Sequence, residues 1–163
     1  MLRIAKIALM FSVCAWGLIT ALQNFLNWGE TVDAVAGAAA MGLIDGGAQS
    51  WQATSNPVVV WAGVLFIVLS KLATAGLCGY GAWQMWQVRN ADAGSFDASK
   101  SAGLTGCAVA VLMLFGGFIV LGESWYEMWR AEAYLGPVLG GAFRYGVFIG
   151  VIGVFVAQPE PCG

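Results

Sequence analysis

The sequence predicts an all-α integral membrane protein, a four-helix bundle with both termini cytoplasmic and a longer outer connection between helices one and two. Three observations carry this. The composition is 60% apolar and 10% charged, against about 25% charged in soluble domains. Four stretches reach the ~20 apolar residues that a helix needs to cross a bilayer. Lysine and arginine favour one set of connections. The 163 residues form a single domain, and the 23 glycines are spread through the apolar runs, where small residues let backbones approach.

Span one runs from about Ile4 to Phe25. Arg3 and Lys6 precede and open it like the basic region of a signal peptide. The apolar run continues to Leu22, however, and "ALQNF" is a poor small-residue cleavage site, so the helix reads as retained. Span two runs from about Val58 to Trp83, behind the turn signal Asn56-Pro57. Span three covers about Ala102 to Tyr126, with Ser99 or Ser101 as its expected cap. Span four covers about Val138 to Ala157, entered through Gly136-Pro137.

Arg3 and Lys6 flank span one, and Arg89 and Lys100 bracket the second connection. The first connection, Asn27 to Asn56, has no lysine or arginine, and the third has only Arg130. Both termini are therefore expected in the cytoplasm. Trp28, Trp51, Trp83, Trp86, Trp125 and Trp129 stand near span ends, as an aromatic belt requires. In the first connection, Val32, Val35, Ala36 and Ala39 give a weak apolar face, which leaves open a short helix on the outer surface and, equally, a lid or a partner-docking surface.

Several chemistries are excluded. The chain has no histidine, so a bis-histidine haem, a histidine zinc site and a Ser-His-Asp triad are ruled out. Cys14, Cys78, Cys107 and Cys162 show no metal-ligand spacing. The first three lie in apolar runs and are expected to act as small hydrophobes. A net charge of −2 without a basic patch argues against nucleic acid. No catalytic residue, metal or cofactor is predicted, and an apolar groove between helices leaves room for a lipid or quinone.

Charges inside the spans are the candidate site, because they are costly in lipid and usually functional. At 1.5 Å of rise per residue, Lys71 falls near the bilayer centre, Arg144 roughly 6 Å outward and Glu123 roughly 12 Å outward. Arginine can close such a gap by snorkelling, so Glu123 and Arg144 are the expected ion pair. Glu127 is expected to share Arg144 or to pair with Arg130. Lys71 has no carboxylate at its own depth. It can donate to Ser70, Thr74 or backbone carbonyls, lose its charge, reach out to Glu123, or meet a carboxylate of another protein. On span four, Gly146, Gly150, Gly153 and Ala157 form a small-residue stripe nearly opposite Arg144, suited to helix packing, to self-association or to another membrane subunit.

The stretch "GESWYEMWRAEAYLGPVLGGAFRYGVFIG" resembles the signature of a family of uncharacterised, predicted small integral membrane proteins of bacteria. Those proteins have four spans, a Gly-Glu-Trp-aromatic-x-Met-Trp motif and an Ala-Phe-Arg motif. Gly122, Glu123, Trp125, Tyr126, Met128 and Trp129 match the first, and Ala142, Phe143 and Arg144 the second. "QNFLNWGETV", and "SF" with Lys100, are also similar. Ser124 interrupts the first motif. The resemblance implies the four-span topology and the weight on Glu123 and Arg144, and implies no activity. The expected function is a non-catalytic accessory subunit of a larger bacterial inner-membrane complex, respiratory, photosynthetic or transport. The alternative is a small ion or proton channel or carrier using Glu123, Lys71 and Arg144.

Overall fold

Four helices long and apolar enough to cross a membrane organise the chain: Leu2–Leu26, Pro57–Gln87, Ala93–Trp125 and Glu132–Ala157. The computed structural model describes residues 1–160, so Cys162 lies outside the described residues. Span one is uninterrupted α-helix to Leu26. Span two starts where Asn56 caps it, its side chain accepting from the Val58 N–H at 2.9 Å, with Pro57 in the first turn. That position suits proline, whose missing N–H would be unpaired there anyway.

Spans three and four differ from their sequence boundaries. Neither Ser99 nor Ser101 caps span three. A short helix, Ala93–Ala98, precedes it instead, capped by Asp92, which accepts from the Ser95 N–H at 2.9 Å and the Ser95 hydroxyl at 2.6 Å. After a bend at Ser99 and Lys100 the chain runs as α-helix over Ser101–Val111. It then widens into π-helix over Leu112–Trp125. Span four begins at Glu132, earlier than Pro137 suggests, and passes through a π-helical stretch, Leu135–Gly140, before the α-helix Gly141–Ala157. Pro137 lies inside that stretch. Proline removes an i→i−4 hydrogen bond and crowds the carbonyl it would have met, and a widened turn relieves both.

The core runs the length of the bundle. Met10, Val13 and Cys14 of span one meet Cys78, Ala82 and Met85 of span two. Behind them lie Cys107, Ala110 and Met113 of span three and Ala142, Ile149 and Val156 of span four. Glycine sets the closest approaches. A Cβ on Gly81 would lie 2.4 Å from the Gly103 nitrogen, and one on Gly17 would lie 2.9 Å from the Lys71 carbonyl oxygen. The span-four stripe faces span three of the same chain. A Cβ on Gly146, Gly150 or Gly153 would stand 3.6 Å from Leu114, 3.9 Å from Val111 and 3.4 Å from Cys107. Ala157 is exposed.

The sulfurs fit the same notches. Cys14, Cys78 and Cys107 are buried free thiols. Cys14 Sγ lies against Gly79 and Cys78 Sγ against Gly106. Cys107 Sγ is 4.0 Å from Met10 Sδ.

The long first connection is helical over Trp28–Ala39. Val35 leans on Gly63 of span two, and Ala39 is buried. Beyond it the chain folds over the end of the bundle away from the chain ends. There Met41 and Ile44 join Met128, Ala131, Tyr134 and Leu139 in a second, smaller core. Gly46 takes a positive φ of 70°. Gly47 has no room for a side chain, since its Cβ would meet the Met41 carbonyl oxygen at 2.6 Å.

The glycine contacts between spans two and three give a direct test. Gly81→Val should lower the thermal midpoint in detergent by the equivalent of about 1–3 kcal/mol, the usual cost of overpacking. Gly76→Ala, whose Cβ meets nothing within 4 Å, should leave it unchanged or slightly raised. Equal midpoints for the two variants would contradict the close crossing.

Candidate functional site

Two clusters of polar side chains interrupt the apolar bundle, one at each end. The far cluster is built on "GESWYEMWR". Span three ends at Trp125, and the chain reverses through Glu127, a non-glycine residue at φ 50°. Met128 folds back into the small core, and a Cβ on Gly122 would press on its sulfur at 2.9 Å. Glu127 pairs with Arg130 at 2.7 Å, and Arg130 also donates to the Asp45 carbonyl at 3.1 Å. Gln52 donates to the Trp125 carbonyl at 3.3 Å, and Trp51 meets the Trp125 ring edge-on at 5.1 Å. The cluster therefore fastens the first connection to the third.

The expected Glu123–Arg144 pair does not form. No ion pair involving either residue occurs among the described residues. Arg144 is exposed, and its Nε donates to the Gly140 carbonyl one turn back at 3.2 Å. The reason lies in the winding. The heights and faces expected from the sequence assume α-geometry, whereas Glu123 sits in a π-helical segment with i→i+5 bonds, which turns it to another azimuth. Lys71 is half-buried and reaches towards the far end to donate to Asn24 Oδ1 of span one. Asn24 in turn donates to Thr31 Oγ1 at 3.1 Å. Neither Ser70, Thr74 nor Glu123 is its partner. No hydrogen bond or ion pair joins any two of Lys71, Glu123 and Arg144 among the described residues.

The near cluster has the deeper burial, and the sequence reading passes over it. Lys6 is 0% exposed, Lys100 2% and Glu160 8%. Lys6 Nζ donates to Glu160 Oε1 at 2.7 Å and to the Gln158 carbonyl at 2.6 Å. Lys100 Nζ donates to the same carbonyl at 2.8 Å, lies 3.7 Å from Glu160 Oε1 and pairs with Asp97. Arg3 Nε reaches Glu160 Oε2 at 3.3 Å, while its Nη1 donates to the carbonyls of Arg89 and Ala91 at 3.0 and 2.6 Å. Asp97 receives the Glu160 N–H, 3.2 Å from each oxygen. Phe96, fully buried, forms the floor, with the Arg3 guanidinium 4.8 Å and the Lys100 ammonium 5.4 Å from its ring centroid. Span one, the loop after span two, the head of span three and the segment after span four all meet here, so both ends of the described chain lie at one end of the bundle.

A signal for this cluster exists in the sequence. Lys6 is in register with Met10, Val13, Gly17 and Ala21. Lys100 is in register with Phe96, Gly103, Cys107, Ala110 and Leu114. Both stripes follow the three-and-four spacing of a buried helix face. The lysines stand at the ends of core stripes, while counting them as flanking charges addresses only orientation.

Burial by itself would raise the Glu160 carboxyl. The Lys6 hydrogen bond and charge, with Arg3 and Lys100, outweigh burial and hold it below the ordinary carboxylate range. A carboxyl lowered on folding stabilises the fold at pH values above its unfolded pKa, about 4.3. That contribution is lost as pH falls through the lowered folded value.

Residues 2–159 match the family model described as "Predicted small integral membrane protein (DUF2165)". No curated protein matches the chain, and no solved structure does.

Two measurements test the site. Acid unfolding should become shallower below pH about 4.3 in Glu160→Gln than in the parent protein, because the variant lacks the titrating group; superimposable acid limbs would refute this. In a double-mutant cycle, Glu123→Ala and Arg144→Ala should be additive within about 0.5 kcal/mol. Coupling well above that would show that the two residues meet after all.

Proposed function

We propose that this chain, which belongs to the DUF2165 family of predicted small integral membrane proteins, is a non-catalytic accessory subunit of a larger membrane assembly. The assembly is placed in the bacterial inner membrane, with the near cluster on the cytoplasmic side. Arg144 is the observation that carries this reading. It lies midway along span four, exposed, with Phe143, Val147, Phe148, Val151 and Val154 exposed around it. A charged side chain facing lipid at mid-depth costs at least about 2.5–3.5 kcal/mol, and such residues almost always face protein or a water-filled cavity. A neighbouring subunit that brings a carboxylate to Arg144 removes that cost.

The surface beside Arg144 supports the same reading. A shallow groove of about 500 Å³ runs along span four past Gly146, Gly150, Val151 and Val154. Its exposed walls are Val147, Val151 and Val154, an apolar surface for a partner helix. The alternative, a channel or carrier using Glu123, Lys71 and Arg144, needs those groups in one path, and no hydrogen bond or ion pair links them among the described residues.

Native-level expression and mild detergent extraction give the test. The chain should migrate with stoichiometric membrane partners, and Arg144→Leu should release it as a monomer with an undiminished thermal midpoint. A parent protein that extracts as a monomer without co-purifying chains would sink the proposal.

A further inference from the structure

We infer that the cage formed by Arg3, Lys6 and Lys100 is a binding site for a compact oxyanion, a carboxylate or phosphate group, which Glu160 occupies as a tethered internal ligand. An external oxyanion takes the site by displacing Glu160. This inference is independent of the subunit reading, because it concerns the opposite feature of the molecule and other residues.

Charge and connectivity both point this way. Among the described residues, three cations face two carboxylates, Glu160 and Asp97. Glu160 alone is approached by all three cations. Both of its oxygens are engaged, Oε1 by Lys6 at 2.7 Å and Lys100 at 3.7 Å, and Oε2 by Arg3 at 3.3 Å. That is the arrangement of donors that recognises a free carboxylate or phosphate. The cations stand on spans one and three, and Arg3 is further fixed by the Arg89 and Ala91 carbonyls.

The occupant is differently held. Span four ends at Ala157, and Glu160 follows three residues later, beyond Pro159. Glu160 is therefore held by side-chain contacts from Arg3, Lys6, Lys100 and Asp97, outside the hydrogen-bond ladder of span four. An access route also exists. An open cleft of about 380 Å³ is lined by Arg3, Arg89, Asn90 and Glu160, so the carboxylate and two arginines border one opening. Opening without a replacement anion would strand Lys6, a cation with no exposure whose carboxylate partner is Glu160, and such stranding is strongly unfavourable. Exchange of one oxyanion for another avoids it.

The full-length protein in detergent micelles tests this by chemical rescue. Glu160→Ala empties the cage. Sodium acetate or inorganic phosphate, titrated at ionic strength held constant with chloride, should then raise the thermal midpoint saturably. The expected rise is about 5–10 °C at a hundredfold excess over Kd. Adding Lys6→Met should abolish it. Nanodiscs of phosphatidylglycerol against phosphatidylcholine, without added anion, separate the sources. Rescue by the anionic lipid alone assigns the oxyanion to a lipid headgroup, and rescue by acetate or phosphate assigns it to a soluble ligand. A folded Glu160→Ala protein that responds to none of these beyond chloride overturns the inference. If Glu160→Ala does not fold, hydrogen exchange of the Glu160 amide in the parent protein decides. Phosphate should accelerate it over equal chloride, and unchanged exchange overturns the inference equally.

Discussion

The Lys6 ammonium has no exposure to solvent, and its acceptors in the structure are the Gln158 carbonyl and the Glu160 carboxylate. A cation placed there cannot be left alone. Burying it unpaired costs several kcal/mol, whereas pairing and hydrogen bonding recover most of that. The same acceptors also receive Lys100, which pairs with Asp97 as well, so a single short segment after span four bridges two buried cations rooted in different spans. Phe96 supports the arrangement from below, and Asp97 anchors the tail's backbone. The consequence is topological: span four must return to the head of span one, and the bundle is closed at that end.

Along the rest of its length the bundle is held by close packing. Apolar surface alone drives little association between helices in lipid, so contact depends on small residues and shape. Gly17 against Lys71 and Gly81 against Gly103 bring backbones together, and sulfur atoms of Cys14, Cys78 and Met10 fill the remaining notches. At the far end the small core under Met41, Met128 and Tyr134 ties the two connections together. Arg144 stands apart from both devices. It is exposed midway along span four and donates to the Gly140 carbonyl of its own helix.

Much of this was legible in the sequence. Hydropathy and length located four spans, tryptophans marked their ends, and the pattern around Glu123 and Arg144 pointed to a family that the chain does match. The weak apolar face of Val35 and Ala39 left the first connection's helicity open, and the structure makes it helical over Trp28–Ala39. What was hidden has physical causes. The Glu123–Arg144 pairing followed from uniform α-geometry, and nothing local in "LMLFGGFIVLGESW" announces fourteen residues of π-helix. Pro137 was read as an entry point because proline usually starts helices, yet a wide turn accommodates it inside one. Lys6 and Lys100 count, in the sequence, as flanking charges that set orientation. Their helical register with core residues was the stronger signal, and only the distant Glu160 reveals what they are for.

The coupling between Lys6 and Glu160 is the quantity on which the account stands. Equilibrium unfolding in micelles of Lys6→Met, Glu160→Leu and the double variant measures it. Each single variant should lose about 3–5 kcal/mol, and the double variant should lose clearly less than their sum, because apolar replacement of both partners strands no charge. Additive losses would contradict the claim that this buried pair closes the bundle.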